Sequence, residues 1–351
     1  MIPRDEYLKM PLEARFIKLS EEEEARVEEL YKKMLVIDLH THVLRGDFVD
    51  NVPRIQRSGI NGFIEAVANI EENFTDSMNL LGQYLKMVEK HPDFAPAFCA
   101  QDFVRAKENG KQAAMFQLEP QTFGRNLDRI EFAYGLGIRM ALLTFNTRTY
   151  IGDGCGERTD GGLSYLGFEV VERMNALGML IDLSHCGVQT TLDAIEASKV
   201  PVMCNHTGAR ALYPQMKRLK TDEVLKALAD KGGLAGVSAI PNQLSGNAEQ
   251  GIEDMLNHID YIVKLIGSDH VALGLDNVFH DQVGYHRQAA RTVFKLEYIG
   301  QELNAPYMYG IESPEEWPNI IRGLVSRGYS DDEIEKIAGG NALRVIQEVV
   351  G

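Results

Sequence analysis

Val36-Ile37-Asp38-Leu39-His40-Thr41-His42 is an apolar, strand-sized run that ends in two histidines. Successive side chains of a strand point to opposite faces, so histidines two apart present both imidazoles to one side, at the spacing of paired metal ligands. Taken alone, the tripeptide suits hydrogen-bonded core histidines as well as it suits ligands. The remainder of the chain decides between them.

Similar runs recur at Gly62–Asn69, Ala113–Leu118, Arg139–Phe145, Leu180–His185, Val200–His206, Leu234–Ile240 and Val271–Asp276. Between them lie helical patterns such as Tyr165–Leu177, Gln189–Ser198, Thr221–Asp230 and Gly251–Ile266, with Gly or Pro near many junctions. Short apolar runs alternating with amphipathic helices mark parallel βα units, and about eight of them fit a closed barrel better than an open doubly wound sheet. The expected fold is therefore α/β, a (β/α)8 TIM-type barrel. A helical segment to about Lys33 precedes it. The tail from Pro318 to Val350 is helical, with Ser330-Asp331-Asp332-Glu333 as a capped start, and is expected to pack outside the barrel. No repeat, low-complexity tract or linker divides the chain, so residues 1–351 are read as one domain, with 1–33 as an N-terminal helical extension.

The composition, 44% hydrophobic and 25% charged over 351 residues, is that of a globular protein and sets disordered and fibrous classes aside. The apolar runs are strand-sized and broken by charge, well short of the roughly 20 residues of a membrane helix. MIPRDEYLKMPLEARF carries charges where a signal peptide needs an apolar stretch, so a cytoplasmic location is the expectation. Cys99, Cys155, Cys186 and Cys204 show no C-x-x-C spacing and read as reduced thiols. A net charge of −15 without a Lys/Arg cluster disfavours nucleic acid and anionic lipid as partners and leaves small molecules. Ser20-Glu21-Glu22-Glu23-Glu24 reads as a capped, solvated helix start.

In such a barrel, side chains at the carboxyl ends of the strands face the active-site mouth. His40 and His42 fall at the end of the first strand, Glu119 after the third, His185 and His206 at the ends of the fifth and sixth, and Asp276 at the end of the eighth. Two histidines on adjacent strands can share one metal. Glu119 emerges from a buried run, where an unpaired charge is costly; a metal would compensate it and its two oxygens could bridge two ions, whereas the plainer alternative is an ion pair with an Arg. Asp276 is placed to move the proton of an activated water, or else to orient a ligand histidine. Arg218 lies in the loop after the sixth strand, either as a fork for a substrate carboxylate or as a surface charge. Cys186 and Cys204, the latter on the side of His206 by strand alternation, read as packing residues.

The stretch Ile151-Gly152-Asp153-Gly154-Cys155-Gly156-Glu157-Arg158-Thr159-Asp160-Gly161-Gly162-Leu163-Ser164 and the run Ile181-Asp182-Leu183-Ser184-His185 resemble the membrane (renal-type) dipeptidase family of the amidohydrolase superfamily. Asn205-His206-Thr207, His270–Asp276, Gly328–Glu333 and Gly339–Val345 continue the resemblance, which covers the chain from about Val36 onward. It implies a (β/α)8 barrel, a two-zinc site, possible pairing as a homodimer and cleavage of dipeptides with a free carboxylate. By motif, Glu119 matches the bridging carboxylate, His185 and His206 the ligands of one zinc, and His40 a ligand of the other. Asp276 matches the catalytic acid/base and, with a one-residue shift, Arg218 the carboxylate clamp.

Two departures stand out. His40-Thr41-His42 replaces the family's His-x-Asp, which exchanges a carboxylate ligand for a neutral imidazole and makes a bound water more acidic. Phe145, in Leu143-Thr144-Phe145-Asn146, replaces a histidine that helps stabilise the oxyanion, a loss typically of order 10²–10³ in rate. The expected function is that of a binuclear metallohydrolase, two divalent ions with zinc as the expected metal, in which a metal-bridging hydroxide attacks the peptide bond of a dipeptide or a related small carboxylate-bearing amide. The alternatives are an amidohydrolase-like enzyme acting on a lactone, another amide or a lyase substrate, and a catalytically silent metal-binding relative.

Overall fold

A computed structural model describes residues 2–46, 48–67, 73–119 and 122–351. Eight strands form the barrel: β1 (Ile37–Thr41), β2 (Gly62–Ala66), β3 (Gln112–Leu118), β4 (Ile138–Leu142), β5 (Leu180–Asp182), β6 (Met203–Thr207), β7 (Leu234–Val237) and β8 (Val271–Leu273). Each pairs in parallel with its successor from β1 to β8. The last gap is bridged by backbone beyond β8. Asp276 N–H donates to His40 O at 3.0 Å, and Leu275 N–H donates to the Asp38 carboxylate at 3.0 Å, so the barrel is nearly closed.

Every expected run contains a strand, but most of the strands are shorter than their runs. Those at Arg139–Phe145, Leu180–His185 and Val271–Asp276 stop before the polar residues at their carboxyl ends, which turn into the loops of the mouth. Of the run Gly62–Asn69, residues 68 and 69 lie outside the described residues. A further short strand, Phe94–Pro96, pairs with β3 outside the ring; at three residues with a proline, it offers no alternation to detect.

Side chains from all eight strands meet in one apolar cluster, including Leu39, Ile64, Met115, Met140, Leu180, Met203, Leu234 and Ala272, and only the barrel interior allows that. Ala342, Val345 and Ile346 join it, so the final helix, Asn341–Val349, covers the amino-terminal end of the barrel and leaves the other end for the site. Glycine is required where the interior is tightest: a Cβ on Gly274 would lie 1.9 Å from Asn205 O. The outer helices start and stop as their sequences dictate. Tyr165–Leu177 is capped by Ser164 Oγ, which accepts from Gly167 N–H, and ends at Gly178 with φ 70°. Ser20 and Glu23 form a capping box at the start of Glu21–Lys33, as Ser330 and Glu333 do in the tail. No helix among the described residues is long and apolar enough to cross a membrane.

The segment before Glu21 is held by buried polar contacts. Tyr7 is fully buried; its hydroxyl donates to Glu316 Oε1 at 2.5 Å and accepts from Gly310 N–H at 2.8 Å, while Arg15 Nη1 lies 3.2 Å from the same carboxylate oxygen. Removing one partner from a buried carboxylate costs about 1–3 kcal/mol. Tyr7→Phe should therefore lower the guanidinium unfolding midpoint by a corresponding amount, and an unchanged midpoint would show that this segment adds nothing to the barrel's stability.

Candidate metal centre

Glu119, one residue beyond β3, stands at the middle of the mouth. Its Oε2 lies 2.7 Å from His40 Nε2, and its Oε1 lies 3.2 Å from His185 Nε2 and 3.4 Å from His206 Nε2. The two imidazoles on the Oε1 side face each other, Nε2 to Nε2, at 3.0 Å. Asp276 closes the ring: Oδ1 is 3.1 Å from His42 Nε2 and 3.7 Å from His40 Nε2, and Oδ2 is 3.8 Å from His206 Nε2. Ligand-type atoms gather within 4.8 Å in three overlapping sets: His40, His42 and Glu119; His40, His206 and Asp276; and Glu119, His185 and His206. All six residues read from the sequence as ligands or as the acid/base thus share one mouth.

Simple alternation does not produce this. The β1 register shifts between Asp38 and Thr41, and the β6 register shifts between Cys204 and Thr207. As a result Asn205 and His206, neighbours in sequence, both reach the site network, and the His40 ring stacks on His206 at 3.9 Å. Cys204 instead lies in the larger apolar core, not beside His206 as strand periodicity implies.

The protons of this cluster are assigned by buried amides whose importance the sequence does not signal. Asn146 Nδ2 donates to Phe294 O, which turns Oδ1 onto His185 Nδ1 at 2.7 Å. Asn205 gives its amide hydrogens to Leu39 O and Gln117 Oε1, and its Oδ1 faces His206 Nδ1 at 2.5 Å. Gln117 Nε2 donates to Asp182 Oδ2, leaving Oε1 for His40 Nδ1 at 3.3 Å. Each Nδ1 therefore meets an oxygen and carries the hydrogen. The Nε2 atoms of His185 and His206 are then bare lone pairs, directed at Glu119 and at each other, while His40 Nε2 faces the other Glu119 oxygen.

Electrostatics agree. Burial, with Arg218 beside it, lowers His185 to about 3, and burial together with His40 holds His206 well below its ordinary value. Burial also lowers His42 to about 4. For His40, burial is outweighed by Glu119, which raises it to about 9. Glu119 in turn sits well below the carboxylate range because His40 and His206 overcome its burial. His40 Nε2 has no aligned hydrogen-bond partner despite its 2.7 Å approach to Glu119. Imidazole lone pairs and a carboxylate packed this closely need cations among them, and this donor set is what a divalent metal takes.

The cluster opens into a cavity of about 530 Å³, within the range of small-molecule sites. Arg218 lies in its wall and is 1% exposed, which removes the surface-charge alternative. Its Nη1 donates to Ser184 O and its Nη2 to His206 O, while Nε is buried without a partner. Phe145, in the loop beyond β4, stacks on His185 with centroids 4.0 Å apart. The roof comes from the segment after β8, with Val278, His280, Tyr285, His286, Phe294 and Leu296. The sequence alone assigns this segment no role, because it belongs to neither a strand nor a long amphipathic helix.

The membrane dipeptidase family (peptidase family M19) matches residues 24–305 and 299–350. The dipeptidase tcpJ of Claviceps purpurea is 28% identical over 297 residues, 83% of this chain and 63% of that protein, so the chain spans less than two thirds of that relative's length. An uncharacterised dipeptidase of Schizosaccharomyces pombe is 30% identical over 70% of this chain and 56% of its own. Among solved structures, an amidohydrolase from Pseudomonas aeruginosa superposes with a TM-score of 0.83 at 28% identity, covering 93% of this chain and 99% of that one. By the extent of the family match and the arrangement of its barrel, this chain belongs to the membrane dipeptidase family, peptidase family M19.

Proposed function

We propose that this protein hydrolyses dipeptides, or related small amides bearing a carboxylate, with two divalent cations held by His40, His42, Glu119, His185 and His206. The convergence of imidazole nitrogens and carboxylate oxygens around Glu119, in sets whose atoms lie within 4.8 Å of one another, carries the reading. Imidazole and carboxylate donors suit zinc. Bound there, such ions would polarise a carbonyl and acidify a water.

The protein's own groups do the rest. Glu119 presents one oxygen to His40 and the other to His185 and His206, so a single carboxylate serves both halves of the cluster. Asp276 is held below the usual carboxylate range, burial being outweighed by the hydrogen bond from His42 and the charge of His40, so it is ionised and free to accept a proton at the mouth. It can return that proton to the leaving amine. Arg218, pinned by two backbone carbonyls, offers Nε to a substrate carboxylate. Phe145 supplies no hydrogen-bond donor where it covers His185, and this favours a second reading in which the same centre acts on a lactone, another amide or a lyase substrate.

Purified protein supplied with zinc should release free amino acids from members of a dipeptide panel. A chelator should abolish the release and added zinc should restore it. Cleavage of lactones with no dipeptide touched would replace the first reading by the second. Asp276→Asn should lower kcat by about 10²–10⁴ with unchanged metal content by elemental analysis; full activity in that variant would remove Asp276 from the chemistry. Asn146→Leu, which deletes the acceptor on His185 Nδ1, should weaken metal binding about 10–100-fold in chelator competition.

A further inference from the structure

Phe145, Phe294, Leu296 and Ile299 line the same cavity as Arg218. Phe145 covers one face of His185, and the Arg218 guanidinium is fixed to Ser184 O, the carbonyl just before that histidine. Phe294 is tied to the same corner, since its carbonyl accepts from Asn146 Nδ2 at 2.8 Å. Ile299 is tied to the Arg218 loop, its carbonyl accepting from Lys217 N–H at 2.8 Å. Leu296 lies between these two anchors in sequence and also lines the cavity. Phe145, Phe294, Leu296 and Ile299 thus frame the site beside the unpartnered Arg218 Nε.

The two side-chain amides on this side are committed elsewhere, while the rings of His286 and Tyr285 pack against Phe294. Asn146 spends Nδ2 on Phe294 O and Oδ1 on His185, and Gln301 Nε2 donates to Pro241 O at 3.2 Å. A polar side chain placed here would lose its water and find these groups already engaged, whereas an apolar one gains by burial. Half-buried Phe145 and Phe294 are apolar surface that the chain itself does not cover, against a cavity that accepts small ligands.

We infer that the substrate residue carrying the free carboxylate has a large apolar or aromatic side chain, packed against Phe145, Phe294, Leu296 and Ile299 while its carboxylate meets Arg218. This rests on the hydrolase reading for the placement of the carboxylate and adds the class of side chain. It gives Phe145 a part in selectivity. One methylene in an apolar pocket is worth about 10–200-fold in discrimination, so the preference should be large.

The test compares Gly-Phe and Gly-Leu with Gly-Gly, Gly-Asp and Gly-Lys on the zinc-supplied protein. It also measures binding of N-acetylphenylalanine and N-acetylglycine by calorimetry, which needs no turnover. The expected result is kcat/KM at least about 10-fold higher for Gly-Phe and Gly-Leu than for the other three, with tighter binding of N-acetylphenylalanine. In Phe294→Ala the Gly-Phe to Gly-Gly ratio should fall about 5–10-fold, with the far-UV circular dichroism spectrum as the check on folding, and an unchanged ratio in the folded variant overturns the inference. Equal or greater turnover of Gly-Asp, Gly-Lys or Gly-Gly overturns the inference and leaves the dipeptidase reading standing. If no dipeptide is cleaved, that reading fails and calorimetry decides: tighter N-acetylphenylalanine sustains the apolar subsite, and equal affinities end it.

Discussion

Lone pairs from His185 and His206 and the charge of Glu119 are forced together at the mouth of this barrel, with the protons that would relieve the two imidazoles held on the far side of each ring. The His185 and His206 nitrogens face each other at 3.0 Å, and Glu119 lies within 3.4 Å of both. In a buried setting such an array is repulsive unless positive charge lies within it. The cost is sustained by the amides behind the rings. Asn146, Asn205 and Gln117 have their own orientations fixed by Phe294 O, Leu39 O and Asp182, so no imidazole can turn over without breaking a second buried bond.

The barrel is arranged around that demand. Asp38 ties β1 to the backbone after β8 by accepting from Leu275 N–H, and it also accepts from Trp317 Nε1 at 3.2 Å. The carboxylate that helps close the ring therefore also holds Trp317, at the start of the tail helix Pro318–Ser326. Asn205 orients His206, contacts Gln117 and spans to Leu39 O, and the close approach of its backbone is why Gly274 cannot carry a side chain. One residue couples the packing of the interior to the direction of a ligand. The apolar floor beneath, closed by Asn341–Val349, keeps water from reaching this network from below.

This division between apolar barrel and polar mouth governs how far the sequence is legible. The strands can be read because parallel strands buried on both faces are written as unbroken apolar runs, and the ligand types can be read because histidines and carboxylates interrupt those runs at their ends. The amides cannot, since Asn and Gln carry no charge or periodicity to set them apart from ordinary core-edge residues. Alternation puts Cys204 on the wrong side because a register shift in β6 leaves no mark in the sequence. The roof escapes for a related reason. Residues such as His286 and Phe294 lie on short or irregular helical turns, where contact with the cavity depends on tertiary placement and not on a repeating pattern.

The two departures from the family pattern compensate each other in part. With His42 in place of a carboxylate, the anionic groups in the cluster are Glu119 and Asp276. Nearby Glu65 is raised to about 8 by burial and contributes no charge at neutral pH. Two divalent cations would then be under-neutralised and would attract an anionic substrate and a developing oxyanion more strongly than a carboxylate-richer centre does. That is the term lost when Phe145 replaces a hydrogen-bond donor. The same ring that withholds a donor also lines the cavity with Arg218, so in the proposed chemistry the exchange would move the burden of transition-state stabilisation onto the metals and leave the side wall to select by shape and burial.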